Sequence, residues 1–176
     1  TLCSCYEVTH LVNTGIAGSL SAQLDIGDLV ISRDAMYHDF DCVHFGYEMG
    51  RVPGMDVVAF PADETMIGYA LAAAEEVNPG HSRTGRVASG DLFVAEKSVK
   101  ERIIEKTGAV CTEMEGAAIA HVAFRNQIPF VILRAISDKA DDSAEMNYPT
   151  FEAQAAHRCA AVTLSMARML VAAQNN

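Results

Sequence analysis

Arg134-Ala-Ile-Ser-Asp138 closes the run Pro129-Phe-Val-Ile-Leu133, so a cation, a hydroxyl and a carboxylate end an apolar segment. A run of apolar and β-branched residues that opens on proline and ends in charge reads as a buried parallel strand. Ligands of an open α/β sheet sit outside the carboxyl ends of its strands. Arg134, Ser137 and Asp138 are thus delivered where chemistry takes place; the plainer alternative is a surface turn with a solvated charge pair. If burial raises its pKa, Asp138 could act as a general acid and donate to a ring nitrogen of a leaving base.

Glu115, in Glu113-Met-Glu-Gly116, stands where a short strand turns into a helix, near a dipole that stabilises an anion. A carboxylate there could accept hydrogen bonds from paired hydroxyls, as on a ribose, or hold a water for attack. It could equally do no more than cap the helix. Phe93, in Ser89-Gly-Asp-Leu-Phe-Val94, could stack on a flat ligand or sit in the core. Gly15-Ile-Ala-Gly-Ser19 reads as a small-residue loop where backbone can approach a ligand closely. In a parallel sheet these four segments line one edge.

The elements that must position them follow from pattern. Strands are expected over 8–13, 28–32, 83–89, 109–112 and 129–136. Helices are expected over 63–77, 96–106, 114–126 and 148–173, the third with its Ala, Ile, Val and Met residues on a buried face. Pro79-Gly80 lies beyond the first helix, Gly108 ends the second, and Pro149 is tolerated in the first turn of the last. Residues 141–146 read as a polar loop. Residues 34–56 are irregular and rich in aromatics, a length of loop that compact domains usually keep for function. Alternating strands and helices make the class α/β with a largely parallel sheet covered on both faces. With no linker or repeat, residues 1–176 form a single domain, half of it hydrophobic and able to bury a substantial core.

The formal net charge is −10 and no basic stripe occurs, which disfavours nucleic acid, since binding it needs backbone neutralisation. No apolar run has membrane-spanning length. Five scattered cysteines argue against a disulfide framework and for reduced thiols in the cytoplasm. Cys3-Ser-Cys5 has no matching Cys/His pair, so no metal is expected. The absence of GxGxxG, a P-loop and Gly-x-Ser-x-Gly disfavours nucleotide-triphosphate and Ser-His-Asp chemistry and leaves no cofactor implied. His121 is read as a core or subunit-contact residue; His10, His81 and His157 have no nameable partner.

Asn13-Thr-Gly-Ile-Ala-Gly18, Ser89-Gly-Asp-Leu-Phe93, Glu113-Met-Glu-Gly116 and Arg134-Ala-Ile-Ser-Asp138 occur in this order. Each motif is weak alone, but the ordered set strongly resembles the nucleoside phosphorylase/nucleosidase superfamily over almost the whole chain. Tyr37-His-Asp39, Phe45-Gly-Tyr47 and the Met-Glu pair are most similar to its 5'-methylthioadenosine/S-adenosylhomocysteine nucleosidase branch. The resemblance implies a three-layer α/β/α fold around a mixed sheet, and a homodimer. It implies hydrolysis of the N-glycosidic bond of a 5'-thio-substituted adenosine to adenine and a thioribose.

By resemblance, Asp138 is the acid at purine N7, Glu115 and Met114 contact the ribose, and Glu115 helps hold the water, with Arg134 near it. Phe93 stacks on adenine, Val94 reads the base edge through its backbone, and Ile16, Ala17, Gly18 and Ser137 complete the substrate site. Ile16 stands where many relatives carry a small hydroxyl residue. Phe45, Tyr47 and Pro53 are lent to the neighbouring subunit's site, around the 5' substituent. The resemblance also implies a strand–helix unit with a further, water-activating glutamate ahead of His10; nothing there matches it, so the chain is expected to lack that unit and to expose a sheet edge. A phosphorylase or futalosine hydrolase of the same fold, and a catalytically incomplete nucleoside-binding relative, are the alternatives.

Overall fold

A computed structural model describes residues 1–140 and 144–174, and the side chains of these except 144–150, 152 and 174. The elements are α1 (Leu2–Cys5), β1 (Leu11–Ser19), β2 (Leu29–Tyr37), β3 (Phe60–Pro61), α2 (Glu64–Val77), β4 (Ser82–Ser89), α3 (Lys97–Thr107), β5 (Cys111–Glu113), α4 (Gly116–Arg125), β6 (Phe130–Asp138) and α5 (Ala144–Gln174).

Local signals account for many of these bounds. The Asp63 side chain caps α2 by accepting the Met66 amide at 2.9 Å. Gly108 ends α3 at φ +63°, its amide donating to the Ile104 carbonyl, a left-handed turn that glycine adopts without strain. The apolar run at 130–138 is buried at every residue, as a strand covered on both faces requires.

The sheet order is β3-β2-β4-β5-β1-β6, and β2 also pairs with β6. That last pairing, antiparallel from Leu29↔Ala135 to Ile31↔Leu133, joins β6 back to β2, so five strands close into a ring. The strand order therefore has no free end at β6. The two long ladders, β1 with β6 and β2 with β4, are parallel, whereas β5 meets β1 antiparallel. Helix α5 packs on β6 and β1 and against α2, while α4 covers β2 and β4. This is a three-layer α/β/α arrangement around a mixed sheet. Its core joins Val30 and Ile31 to Val131, Ile132 and Leu133 under Ala117, Ala120 and Ala123. Alanine on the buried face of α4 lets the helix sit close to the sheet.

Three expectations change. Residues 15–19 are not a loop but the second half of β1, held in parallel register from Leu11↔Phe130 to Ala17↔Ile136. Glycine there mimics a turn in the sequence, but its use is to leave room for a neighbour. A Cβ on Gly15 would lie 2.2 Å from Arg134 Nη1, and one on Gly18 would lie 2.9 Å from Asp138 Oδ1. Second, β2 runs on to Tyr37, so the irregular segment is shorter than expected. Third, α5 starts at Ala144, which puts Pro149 beyond the first turn and makes 144–146 helical. Residues 141–143 of the expected polar loop lie outside the described residues. A helix can tolerate Pro149 so near its start because the hydrogen bond it forfeits, to residue 145, is one of the first.

Candidate active site

The carboxyl end of β6, the second half of β1, the β5–α4 turn and the segment after β4 converge on a cleft of about 750 Å³. Ten residues singled out from the sequence line it together: Ile16, Ala17, Gly18, Phe93, Val94, Met114, Glu115, Arg134, Ser137 and Asp138. Phe45, Tyr47 and Pro53 are not among its lining. Phe45 is 83 % exposed, the most exposed large hydrophobic side chain among the described residues.

Asp138 is 3 % exposed. Its Oδ2 accepts the Ser137 hydroxyl at 2.8 Å and its Oδ1 accepts the Ala140 amide at 2.7 Å. Ala140 adopts φ +50°, a conformation costly for a residue with a Cβ; it aims that amide back at the carboxylate. The plain surface turn is excluded, and Asp138 is held at a fixed place on the cleft wall.

Arg134 is equally buried. Its Nη2 pairs with Glu113 Oε2 and Asn13 Oδ1 and lies 3.5 Å from Glu115 Oε2, while Nη1 donates to the Ile16 carbonyl at 3.4 Å. The capping alternative for Glu115 fails. Glu115 is the first residue of the turn into α4 but makes no side-chain cap, and its side chain is 61 % exposed in the cleft. Capping is done two residues earlier. The Glu113 carboxylate accepts the Glu115 amide at 3.2 Å, the Gly116 amide at 2.8 and 3.0 Å, and the Ser89 hydroxyl. Ser89 in turn accepts the Ala117 amide at 2.7 Å.

The apolar wall is Phe93, Leu92 and Met114, each about half exposed, with Val94 buried beneath. Phe93 therefore belongs to the cleft and not to the core. Two lining groups, Thr112 Oγ1 and Arg134 Nε, are buried without a hydrogen-bond partner among the described residues. Such atoms leave polar capacity for a ligand or water. Burial pushes the Cys111 thiol far up, Glu113 adding to the effect and Arg134 opposing it, so this cysteine is no nucleophile near neutral pH.

Sequence reasoning missed Asn13, Ser89, Thr112 and Glu113 as functional side chains, although all but Thr112 stand in the quoted motifs. Glu113 carried a signal: a carboxylate three residues before the first free amides of a helix. It also left His81 without a partner, whereas His81 Nδ1 lies 2.9 Å from Asp28 Oδ1, a pairing across 53 positions. His121 stacks on Phe60 with ring centroids 4.9 Å apart. Among the described residues no group of three His, Cys, Asp or Glu side chains could hold a metal ion, and no helix is long and apolar enough to cross a membrane.

Comparison with known proteins points the same way. The sequence profile of the phosphorylase superfamily matches residues 1–168. The 5'-methylthioadenosine/S-adenosylhomocysteine nucleosidase of Treponema pallidum (strain Nichols) is 42% identical, over 92% of this chain and 69% of the relative. The crystal structure of a nucleosidase of that name from Colwellia psychrerythraea, in complex with adenine, superposes with a TM-score of 0.88 at 31% identity, covering 94% of this chain and 69% of that one. A futalosine hydrolase of Helicobacter pylori superposes with a TM-score of 0.90 at 32% identity, covering 96% and 71%.

Proposed function

The chain belongs to the phosphorylase superfamily, and on that footing we propose that it hydrolyses the N-glycosidic bond of 5'-methylthioadenosine and S-adenosylhomocysteine, releasing adenine and the corresponding thioribose. The observation that carries this reading is the pairing of two carboxylates across one cleft. Asp138 is buried and fixed by two donors at the end of β6; Glu115 is open to the same cleft at the β5–α4 turn. Glycoside hydrolysis asks for this division between a group that serves the leaving atom and one that faces the sugar.

In the proposed reaction the bond from the sugar's anomeric carbon to purine N9 breaks and its electron pair passes to the base. Asp138 gives a proton to N7, so adenine leaves neutral. Positive charge grows on the sugar, and the Glu115 carboxylate stabilises it while accepting from the ribose hydroxyls. Water, held near Arg134 and Glu115, adds to the anomeric carbon; one of its O–H bonds breaks, its proton passes to solvent, and Asp138 regains a proton, closing the cycle. Phe93 stacks on adenine, Val94 reads the base edge through its backbone, and Met114 lies along the ribose, with 16–18 and Ser137 completing the wall. The apolar Phe93, Leu92 and Met114 lining suits a flat base and a thioether-substituted sugar. The futalosine hydrolase has a similar fold, so shape alone does not separate the two substrates; three curated relatives at 38–42% identity all carry the nucleosidase name.

The working unit proposed is a homodimer in the cytoplasm, with Phe45, Tyr47 and Pro53 inserted at the neighbour's 5' pocket. The exposure of Phe45 and the absence of these residues from their own cleft support that arrangement. The five cysteines, all free thiols, suit a reducing compartment.

The test is adenine release from 5'-methylthioadenosine in phosphate-free buffer, with Asp138→Asn as control. Release that the substitution removes supports the reading. Release that requires phosphate and yields sugar 1-phosphate selects a phosphorylase. Adenine that binds without any turnover of the nucleoside selects a binding module.

A further inference from the structure

We propose that Glu113 sets the charge of the cleft: it is the counter-ion of Arg134 and thereby leaves Glu115 free to face the developing sugar cation. The proposal rests on the hydrolysis proposed above. Two carboxylates compete for one guanidinium nitrogen, since Arg134 Nη2 reaches both Glu113 Oε2 and Glu115 Oε2. Glu113 holds the closer contact; Glu115 stands at 3.5 Å. The Glu113 side chain is 2 % exposed against 61 % for Glu115. Its seat is built for an anion, because the amides of Glu115 and Gly116 and the Ser89 hydroxyl all donate to it at the start of α4. The seat is also shaped for it: a Cβ on Gly116 would lie 2.8 Å from Glu113 Oε1.

Glu113 therefore answers most of the Arg134 charge within the wall, and Glu115, in longer contact with the same nitrogen at 3.5 Å, keeps most of its own charge for the cleft. A buried guanidinium deprived of its counter-ion takes the next carboxylate within reach. That carboxylate is Glu115, whose exposed side chain is able to close the gap. Neutralising Glu113 thus turns Glu115 from a partner of the sugar into a partner of Arg134. Glu113 acts as a positioning residue, touching neither base nor ribose.

Two probes separate this role from a structural one: adenine, which is neutral, and an adenine-like base carried on a cationic pyrrolidine in place of the ribose. Glu113→Gln is expected to bind adenine within roughly threefold of the parent, to bind the cationic probe about 10- to 100-fold more weakly, and to lose kcat with little change in KM. Glu113→Asp keeps the charge and is expected to keep most of the preference for the cationic probe. Equal weakening of both probes by Glu113→Gln, or none, overturns the proposal. Should Glu113→Gln fail to fold by circular dichroism, Glu113→Asp decides: retained preference supports the proposal and its loss overturns it. A parent chain that binds neither probe refutes the proposed function, and the inference with it. One that binds both without releasing adenine removes the turnover reading alone and leaves the probe comparison to decide the role of Glu113.

Discussion

Asp138 and Phe45 were both expected to meet substrate, yet one is 3 % exposed at the end of a central strand and the other 83 % exposed beside a 3₁₀ turn. The difference runs through their surroundings. The charged groups of the wall beside Asp138 are held from several directions: Ser137 and Ala140 on its own carboxylate, Asn13 and Glu113 on Arg134, Ser89 and two amides on Glu113. Around Phe45 there is the Gly46 turn at φ +83° and, among the described residues, no ring contact. The cleft wall is preorganised by its own chain, which suits groups that must meet a transition state at fixed geometry. The loop offers an aromatic side chain that the rest of the described chain leaves exposed, which is why we propose that it serves the neighbouring subunit.

If the cleft works within one chain and the loop works across two, substitutions in them behave differently. The largest effect is expected at Glu115, where Glu115→Gln removes the charge that faces the sugar and lowers kcat for adenine release about 10²-fold. Steady-state kinetics checks it, and a loss confined to KM contradicts the role. Next is Gly15→Ala. The new Cβ overlaps Arg134 Nη1, and the guanidinium cannot swing aside without leaving Glu113 and Asn13. Overpacking of this kind costs about 1–3 kcal/mol, read as a lower melting temperature, and activity falls with it.

Phe45→Ala is expected to raise KM roughly tenfold, about the value of one lost aromatic contact, with a smaller change in kcat. Co-expressing Phe45→Ala with Asp138→Asn sharpens the comparison. A mixed dimer contains one site with an intact Asp138 and an intact Phe45, so the mixture exceeds the summed activities of the two parents if the loop acts on its neighbour. Simple averaging means that Phe45 serves its own chain.

The smallest effect is on stability against pH. Burial lowers the pKa of His38 below its usual 6.5, Asp39 opposing, and burial followed by Arg125 lowers that of His121. In both, folding favours the neutral ring, so the unfolded chain binds more protons in this range. The contribution is full above about pH 6.5 and is lost as pH falls below it toward the folded values. Melting temperatures between pH 7.5 and 5 should fall, and His38→Asn should flatten the fall; an unchanged slope removes His38 from the account.

Much of the site was legible because it is local in sequence. Apolar strands that end in charge, small residues at 15–18, and Met114-Glu115 before a helix are each contiguous, and strand-end geometry brings such segments together in any α/β sheet. The glycine stop at 108 was legible for the same reason. What escaped was the identity of partners. Gly15 and Gly18 look like a loop until β6 lies beside them and shows that Arg134 and Asp138 occupy the space. Glu115 looks like the helix cap until Glu113 is seen with the amides in hand.

Through residue type, short spacing and the resemblance those motifs carry, the sequence alone determined the α/β class and ten of the residues that line the cleft, Asp138 and Glu115 among them. Only the tertiary structure decided that β2 pairs with β6 to close the sheet, that His81 answers Asp28, and that Glu113 sits closer than Glu115 to the Arg134 guanidinium. Those outcomes depend on which buried groups come within a few ångströms across tens of residues, where desolvation makes each polar atom take the nearest adequate partner.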